Sequence, residues 1–117
     1  MAFRYGTERE NAMLRIYQVC LEIVEEVQPI ADRIARRDRD LARQLRKASA
    51  NAALNVCEGS GTRAGRRRNT YDIALGEAKE TRGCLHLAVR ARHVPSVDPE
   101  LLDKVERVIA TLINVVR

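Results

Sequence analysis

The chain has 117 residues and a formal net charge of +5, with 45% hydrophobic and 32% charged side chains. This balance is typical of a folded globular protein and excludes a disordered or membrane-embedded chain, and the length predicts a single domain over residues 1–117. Aromatic residues make up 3% of the chain, which leaves little aromatic surface on which single-stranded bases could stack.

The three cysteines are Cys20, Cys57 and Cys84, widely spaced and each set among apolar residues. This pattern predicts buried thiols in a reducing compartment better than a disulfide framework. The first residues lead directly into charge, so we expect no signal peptide. The C-terminal apolar stretch, residues 108–116, is too short to cross a bilayer. A cytoplasmic protein is the expectation.

The first predicted helix extends from about Glu8 to Arg36, because its apolar residues recur at three- and four-residue intervals. Pro29 lies inside it and cannot donate a backbone hydrogen bond, so we expect a kink, or a helix that ends and restarts there. Asp38 or Asp40 is then placed to cap the start of a second helix.

The second predicted helix runs to about Glu58 and carries apolar residues on two faces, which indicates burial on more than one side. Its middle, residues 48–53, is composed of small side chains that would let another backbone approach closely. Gly59 and Gly61 are expected to end it, since glycine adopts the left-handed conformation that many helix ends require.

A third helix is predicted from about Gly65 to His93, followed by a short connector. Asp98-Pro99-Glu100 is a strong signal for the start of a fourth helix, with a capping carboxylate and a proline at the first helical position. Four helices with short connections predict an all-α fold, an antiparallel up-down-up-down four-helix bundle.

Positive charge is concentrated between Arg33 and Arg68. This stretch contains eleven Lys and Arg residues and three acids, for a net charge of +8, whereas the rest of the chain has a net charge of −3. This asymmetry indicates an anionic partner. The candidate nucleic-acid-binding residues of the loop are Arg63, Arg66, Arg67 and Arg68. Nearby glycines leave backbone amides open, as in phosphate sites. A solvated surface, or ion pairs with a neighbouring subunit, are the alternatives.

A second basic group surrounds the first helix–helix turn. Its members are Arg33, Arg36, Arg37, Arg39, Arg43, Arg46 and Lys47. In an up-down bundle this turn lies at the opposite end from the arginine loop, and in an oligomeric ring each group would be repeated.

Three stretches resemble one protein family: residues 44–48, residues 55–61 with the spelling Asn-Val-Cys-Glu-Gly-Ser-Gly, and residues 74–76 with Glu80. They are similar to bacterial four-helix-bundle proteins first noted as reading frames within ribosomal-RNA intervening sequences. The accessory variability protein of diversity-generating retroelements is a relative. The resemblance implies a ring-shaped homopentamer without established catalytic activity. It also implies possible partners, since the retroelement relative is a basic pentamer that binds nucleic acid and a reverse transcriptase. Cys57 and the single early aromatic Tyr71 depart from the family pattern.

The residues of this motif are expected to be structural: Asn55, Glu58, Gly59, Ser60, Gly61 and Glu80. A carboxylate at the last turn of a helix needs a cationic or amide partner, which for Glu58 would be Arg63 or an arginine of the third helix. A Glu58–Glu80 acid–base couple has no accompanying nucleophile. His86 and His93 lack the further ligands that a zinc site needs. We therefore expect no enzyme, no metal and no cofactor.

Two functional hypotheses remain. The first is a small oligomeric protein that binds RNA or DNA through backbone phosphates, with an accessory role to a larger enzyme such as a reverse transcriptase as one form of this hypothesis. The second is a purely structural or protein-interaction oligomer, in which the arginines form ion pairs and surplus apolar surface is covered by other subunits.

Overall fold

The computed structural model describes residues 8–61 and 64–117. It contains four α-helices, which are α1 Glu8–Ala35, α2 Arg39–Ser60, α3 Ala64–Arg90 and α4 Pro99–Val116. No β-strand occurs in the two described ranges. The predicted all-α class is confirmed.

The four helices form an antiparallel bundle in which each helix packs against the next, and α4 returns to α1. The molecule is elongated, with principal extents of 51 × 28 × 20 Å. Contact between α1 and α4 is the least extensive of the four neighbouring pairs. Lys104 of α4 closes this seam, with Nζ 3.0 Å from the Glu22 carboxylate and also bonded to Glu26. The up-down-up-down bundle is therefore as predicted.

One contiguous apolar core runs through all four helices. Helix α2 contacts both α1 and α3, which accounts for its two apolar faces. Its small residues Ala48, Ser49, Ala52 and Ala53 are buried, so they allow close packing of the neighbouring helices.

Helix α1 continues through Pro29 without ending. Val27, Ala31 and Ile34, on either side of the proline, are fully buried in the core. Burial of this continuous apolar stripe offsets the hydrogen bond that proline cannot make. The expected possibility of two separate helices is wrong.

Two carboxylates cap helix starts as the sequence predicts. The Asp38 side chain accepts a hydrogen bond from the Leu41 backbone nitrogen at 3.0 Å and caps α2. The Asp98 side chain accepts from the Glu100 nitrogen at 2.9 Å and caps α4, with Pro99 at the first helical position. Both satisfy amides that lack partners within their helices.

The predicted glycine stop at the end of α2 is correct for the position of Gly61 and wrong for Gly59 and for the left-handed conformation. Gly59 lies inside the helix, and Gly61, the C-cap, has a φ of −101°, which is not left-handed. Gly59 is instead required by packing, because a Cβ there would stand 2.6 Å from Cδ1 of the buried Tyr71 ring. The backbone of α2 thus lies directly against an aromatic side chain of α3.

Helix α3 ends at Arg90, earlier than His93, in a Schellman motif. The Arg92 nitrogen donates to the Val89 carbonyl at 3.0 Å, and the His93 nitrogen donates to the Ala88 carbonyl at 2.9 Å. Arg92 has a φ of +65°, where glycine is the usual residue. Helix α3 therefore ends in a backbone conformation that usually requires glycine, although the sequence has an arginine there.

The prediction of three buried thiols is wrong for Cys57, which is exposed, and correct for Cys20 and Cys84. Burial raises the pKa of Cys20 to about 12. Burial, and then the charge of Glu80, raise the pKa of Cys84 to about 11. A hydrogen bond with Cys57 raises the pKa of Tyr17, so the side chains of α1 and α2 meet there.

Candidate nucleic-acid interface

Two turns meet at one end of the bundle. His93 Nε2, in the turn between α3 and α4, lies 3.8 Å from Asp38 Oδ2, in the turn between α1 and α2. The exposed arginines carried by these turns and the adjoining helix ends are Arg33, Arg36, Arg37, Arg39, Arg90 and Arg92. We call this group the basic end.

Two carboxylates of the basic end cap helices. Asp38 and Asp98 accept the capping hydrogen bonds of α2 and α4. Glu100 lies in the first turn of α4, and Asp40, in the first turn of α2, pairs with Arg43. Six arginines against Asp38, Asp98 and Glu100 leave an excess of three positive charges. Among the described residues, no acid forms an ion pair with any of the six arginines. The basic end therefore presents several guanidinium groups to solvent.

Part of the predicted second basic group lies on the helix sides and not at the basic end. Arg43 pairs with Asp40, three residues earlier on α2. Arg46 pairs with Asp32 of α1, and its Nε lies 3.3 Å from Gln28 Oε1. Lys47 is exposed on α2. Arg43 and Arg46 thus have local acidic partners, whereas Arg36, Arg37 and Arg39 pair with no acid in the part of the chain that the structure describes.

Sequence reasoning missed Arg90 and Arg92. These residues lie more than fifty positions from Arg37, and nothing in the local sequence links them. The antiparallel topology brings the two turns to the same end. The predicted helix order, followed to its consequence for both turns, would have identified them.

Arg66, Arg67 and Arg68 of the predicted arginine loop lie near the start of α3, at the opposite end of the bundle. Arg63 falls outside the described residues, so its part in a binding site stays a prediction. Arg66 is exposed, while Arg67 is half-buried and already has an interaction partner. Arg68 Nε donates a hydrogen bond to the Val116 carbonyl at 2.8 Å.

The hydrogen bond from Arg68 to Val116 explains why a positive charge stands at a position that is unfavourable for its own helix, α3. Arginines near the start of α3 oppose the positive end of that helix dipole. Arg68 is placed against the carbonyl end of α4, where positive charge is favourable. The loop arginines are therefore partly structural, which leaves the basic end as the richer candidate site.

The residues of the Glu-Gly-Ser-Gly motif make mainly local contacts. Asn55 is half-buried, and its Nδ2 donates to the Asn51 carbonyl at 2.8 Å. Ser60 Oγ donates to the Cys57 carbonyl at 2.7 Å. Glu58 is exposed and pairs with no described arginine of α3. Its pairing with Arg63 stays a prediction.

The described ranges contain no group of three or more His, Cys, Asp and Glu side chains arranged to hold a metal ion. His86 is exposed, and His93 Nδ1 is buried without a hydrogen-bond partner. Within the same ranges, no helix has the length and apolar character needed to cross a membrane.

The bundle and its basic end define a small all-α protein with an exposed cationic surface. The chain belongs to the family described as 23S rRNA-intervening sequence protein, whose family model matches residues 12–114. The family predicted from the sequence motifs is thereby confirmed.

A solved structure supports the same fold. It is the crystal structure of a protein of unknown function from the S23 ribosomal protein family of Bacteroides thetaiotaomicron. The two structures are similar with a TM-score of 0.73 and 17% sequence identity, over 87% of this chain and 98% of the other. At this identity the likeness shows the fold alone. No curated protein matches the chain.

Proposed function

We propose that this protein is a non-enzymatic, cytoplasmic nucleic-acid-binding protein that contacts backbone phosphates through its basic end. The observation that carries the proposal is the set of six exposed arginines without ion-pair partners among the described acids. Guanidinium groups match phosphate oxygens with two parallel hydrogen bonds. Because phosphates are common to all sequences, this contact gives affinity without base specificity.

RNA is the first ligand to test, because the family to which the chain belongs is described by a ribosomal-RNA intervening sequence. Assembly into a homo-oligomer, with the pentamer that the resemblance implies, would repeat the basic end. Repetition raises avidity for a long polyanion without any new contact. Arg66 and the loop at the other end would be a second and weaker phosphate contact.

A salt series with a matched variant pair tests the proposal. Each phosphate neutralised on single-stranded RNA contributes a slope of about −0.7 in log affinity against log salt. The double variant Arg37→Ala/Arg39→Ala should reduce the slope by about 1.4, since two phosphate contacts are lost. The control is Lys79→Ala/Arg107→Ala, which removes two exposed charges from the sides of α3 and α4. It should leave the slope almost unchanged.

Two outcomes would contradict the proposal. One is the absence of RNA binding at low ionic strength. The other is an equal loss of slope in both double variants, because that result would assign binding to the overall charge of +5 and not to the basic end.

A second candidate function is a structural or protein-interaction oligomer. Among the described residues, six large apolar side chains are exposed on the bundle surface: Leu14, Leu21, Leu54, Ile73, Leu87 and Ile113. Leu54 and Leu14 are the most exposed, at 62% and 61%. Surface of this kind is typical of subunit contacts, and it also suits an accessory role on a larger enzyme such as a reverse transcriptase.

A further inference from the structure

A groove between the end of α3 and the start of α4 adjoins the basic end. Its cavity volume is about 420 Å³. Its floor is apolar and is formed by Leu85, Val89, Val97 and Leu102. His86 and Arg90, both exposed, line it as well. We call it the α3–α4 groove.

The charge around the groove favours an anionic ligand. Arg90 belongs both to this groove and to the basic end, so the two surfaces are continuous. The carboxylates on the same face of α4, four residues before and after Leu102, are engaged elsewhere. Asp98 caps α4, and Glu106 lies 2.9 Å from Arg82 Nη1. Among residues 8–61 and 64–117 no acid pairs with Arg90, so a phosphate beside it would displace no ion pair.

An apolar floor beside a phosphate-binding arginine matches one nucleotide unit. A nucleobase is flat and has apolar faces, whereas its edge is polar and its phosphate is charged. Bases that leave the stack bind proteins by packing on apolar, histidine or guanidinium surfaces. The Ser96 hydroxyl also lines the groove and offers a donor and an acceptor to the base edge.

We infer that the α3–α4 groove holds one unstacked nucleobase of single-stranded RNA, with the adjoining phosphate on Arg90. This inference rests on the proposed function and adds to it a preference for single strands. In a duplex each base is paired and stacked, so it cannot enter the groove without the loss of those interactions. Phosphates alone would attract a duplex at least as strongly, because its charge density is higher.

The test compares two RNAs on the full chain at one ionic strength. The probes are a single strand of about 12 nucleotides, a length within the usual site size, and the blunt duplex of the same sequence. We expect the single strand to bind about tenfold more tightly, near the lower end of the range for one base–aromatic contact, because His86 is the one aromatic ring among the lining residues. Fluorescence anisotropy of end-labelled RNA gives both dissociation constants.

Variants locate the preference in the groove. Leu102→Gln removes apolar floor without a change of charge, and we expect single-strand affinity to fall about three- to tenfold while duplex affinity stays constant. Ala110→Gln is the control, because it places a glutamine at an exposed position of α4 outside the groove. His86→Ala, at an exposed position, should have the same effect as Leu102→Gln. It keeps the test valid if the half-buried Leu102 proves necessary for folding.

The outcomes separate this inference from the proposed function. If single strand and duplex bind equally, and both Leu102→Gln and His86→Ala leave binding unchanged, the groove does not hold a nucleobase. Phosphate binding at the basic end would remain supported. Tighter binding of the duplex would lead to the same two conclusions. Absence of binding by either RNA at low salt overturns both.

Discussion

Gly59 and Tyr71 set the approach of α2 to α3. Tyr71 is 2% exposed, and its ring occupies the space that a Cβ on Gly59 would need. Gly59→Ala should lower the free energy of unfolding by about 1–3 kcal/mol, because overpacking forces the ring or the backbone to shift. Denaturation in guanidinium chloride, followed by circular dichroism, measures the change.

Gly76→Ala is the matched control, since nothing lies within 4 Å of a Cβ at that position of α3. There the substitution should stabilise the protein by about 0.5–1 kcal/mol through helix propensity. A gain of stability at both glycines would contradict the close contact between Gly59 and the Tyr71 ring.

The three thiols should differ sharply in reactivity. Cys57 is exposed, whereas burial holds Cys20 and Cys84 in the protonated, unreactive form, with pKa values of about 12 and about 11. At neutral pH, a chromogenic disulfide reagent should titrate one thiol rapidly in the folded protein and all three after unfolding. Cys57→Ser should abolish the rapid phase. Rapid modification of Cys20 would contradict the buried position.

The same burial predicts a loss of stability at alkaline pH. Cys20 ionises at about 12 in the folded protein, against an ordinary pKa of 9.0. The stabilising contribution is complete below pH 9.0 and is lost as the pH rises towards 12, because only the unfolded chain ionises readily in that window. Cys20→Ala should flatten this part of a plot of melting temperature against pH.

At the scale of the helix, the end of α3 contains strain that can be measured. Arg92 has a positive φ, which costs a residue with a side chain about 1 kcal/mol relative to glycine. Arg92→Gly should therefore raise the free energy of unfolding by about 0.5–1 kcal/mol. Arg92→Ala removes the same charge without relief of the strain, so the difference between the two variants in thermal melting isolates the backbone term. Equal stability of the two would contradict it.

Helix starts and faces were predictable from local sequence, whereas several helix ends were not. Asp38 and Asp98 cap helices through side-chain chemistry that operates over three residues, so the sequence locates Asp98 and narrows the other cap to Asp38 or Asp40. The role of Gly59 depends on Tyr71 of another helix. The continuity of α1 through Pro29 depends on burial against the whole core. Both are tertiary effects that no sequence window contains.

At the scale of the whole molecule, local sequence predicted one part of the candidate site, and the other part depended on the fold. Arg36, Arg37 and Arg39 are neighbours in sequence and were identified as a group. Arg90 and Arg92 join them only because two turns share one end of the bundle. In contrast, Arg43 and Arg46 resemble the others in sequence, but acids on α1 and α2 neutralise them.

Surplus apolar surface predicts self-association. Leu54→Gln/Ile73→Gln/Leu87→Gln replaces exposed apolar side chains of α2 and α3. If these residues lie in subunit contacts, the mass from light scattering should fall towards the 13.2 kDa of one chain while helical content is retained. The control Arg15→Gln/Lys79→Gln replaces exposed polar side chains and should not change the mass. An unchanged mass in the triple variant would place the contacts elsewhere.

The length of the bundle has an electrical consequence. The long axis measures 51 Å, whereas mobile ions screen charge over about 8 Å at physiological ionic strength. The arginines at the two ends therefore do not interact electrostatically. A ligand bound at one end does not change the electrostatic potential at the other. Packed, mostly aliphatic side chains of low dielectric constant fill the space between the two ends. The molecule therefore carries two cationic surfaces that act independently of each other.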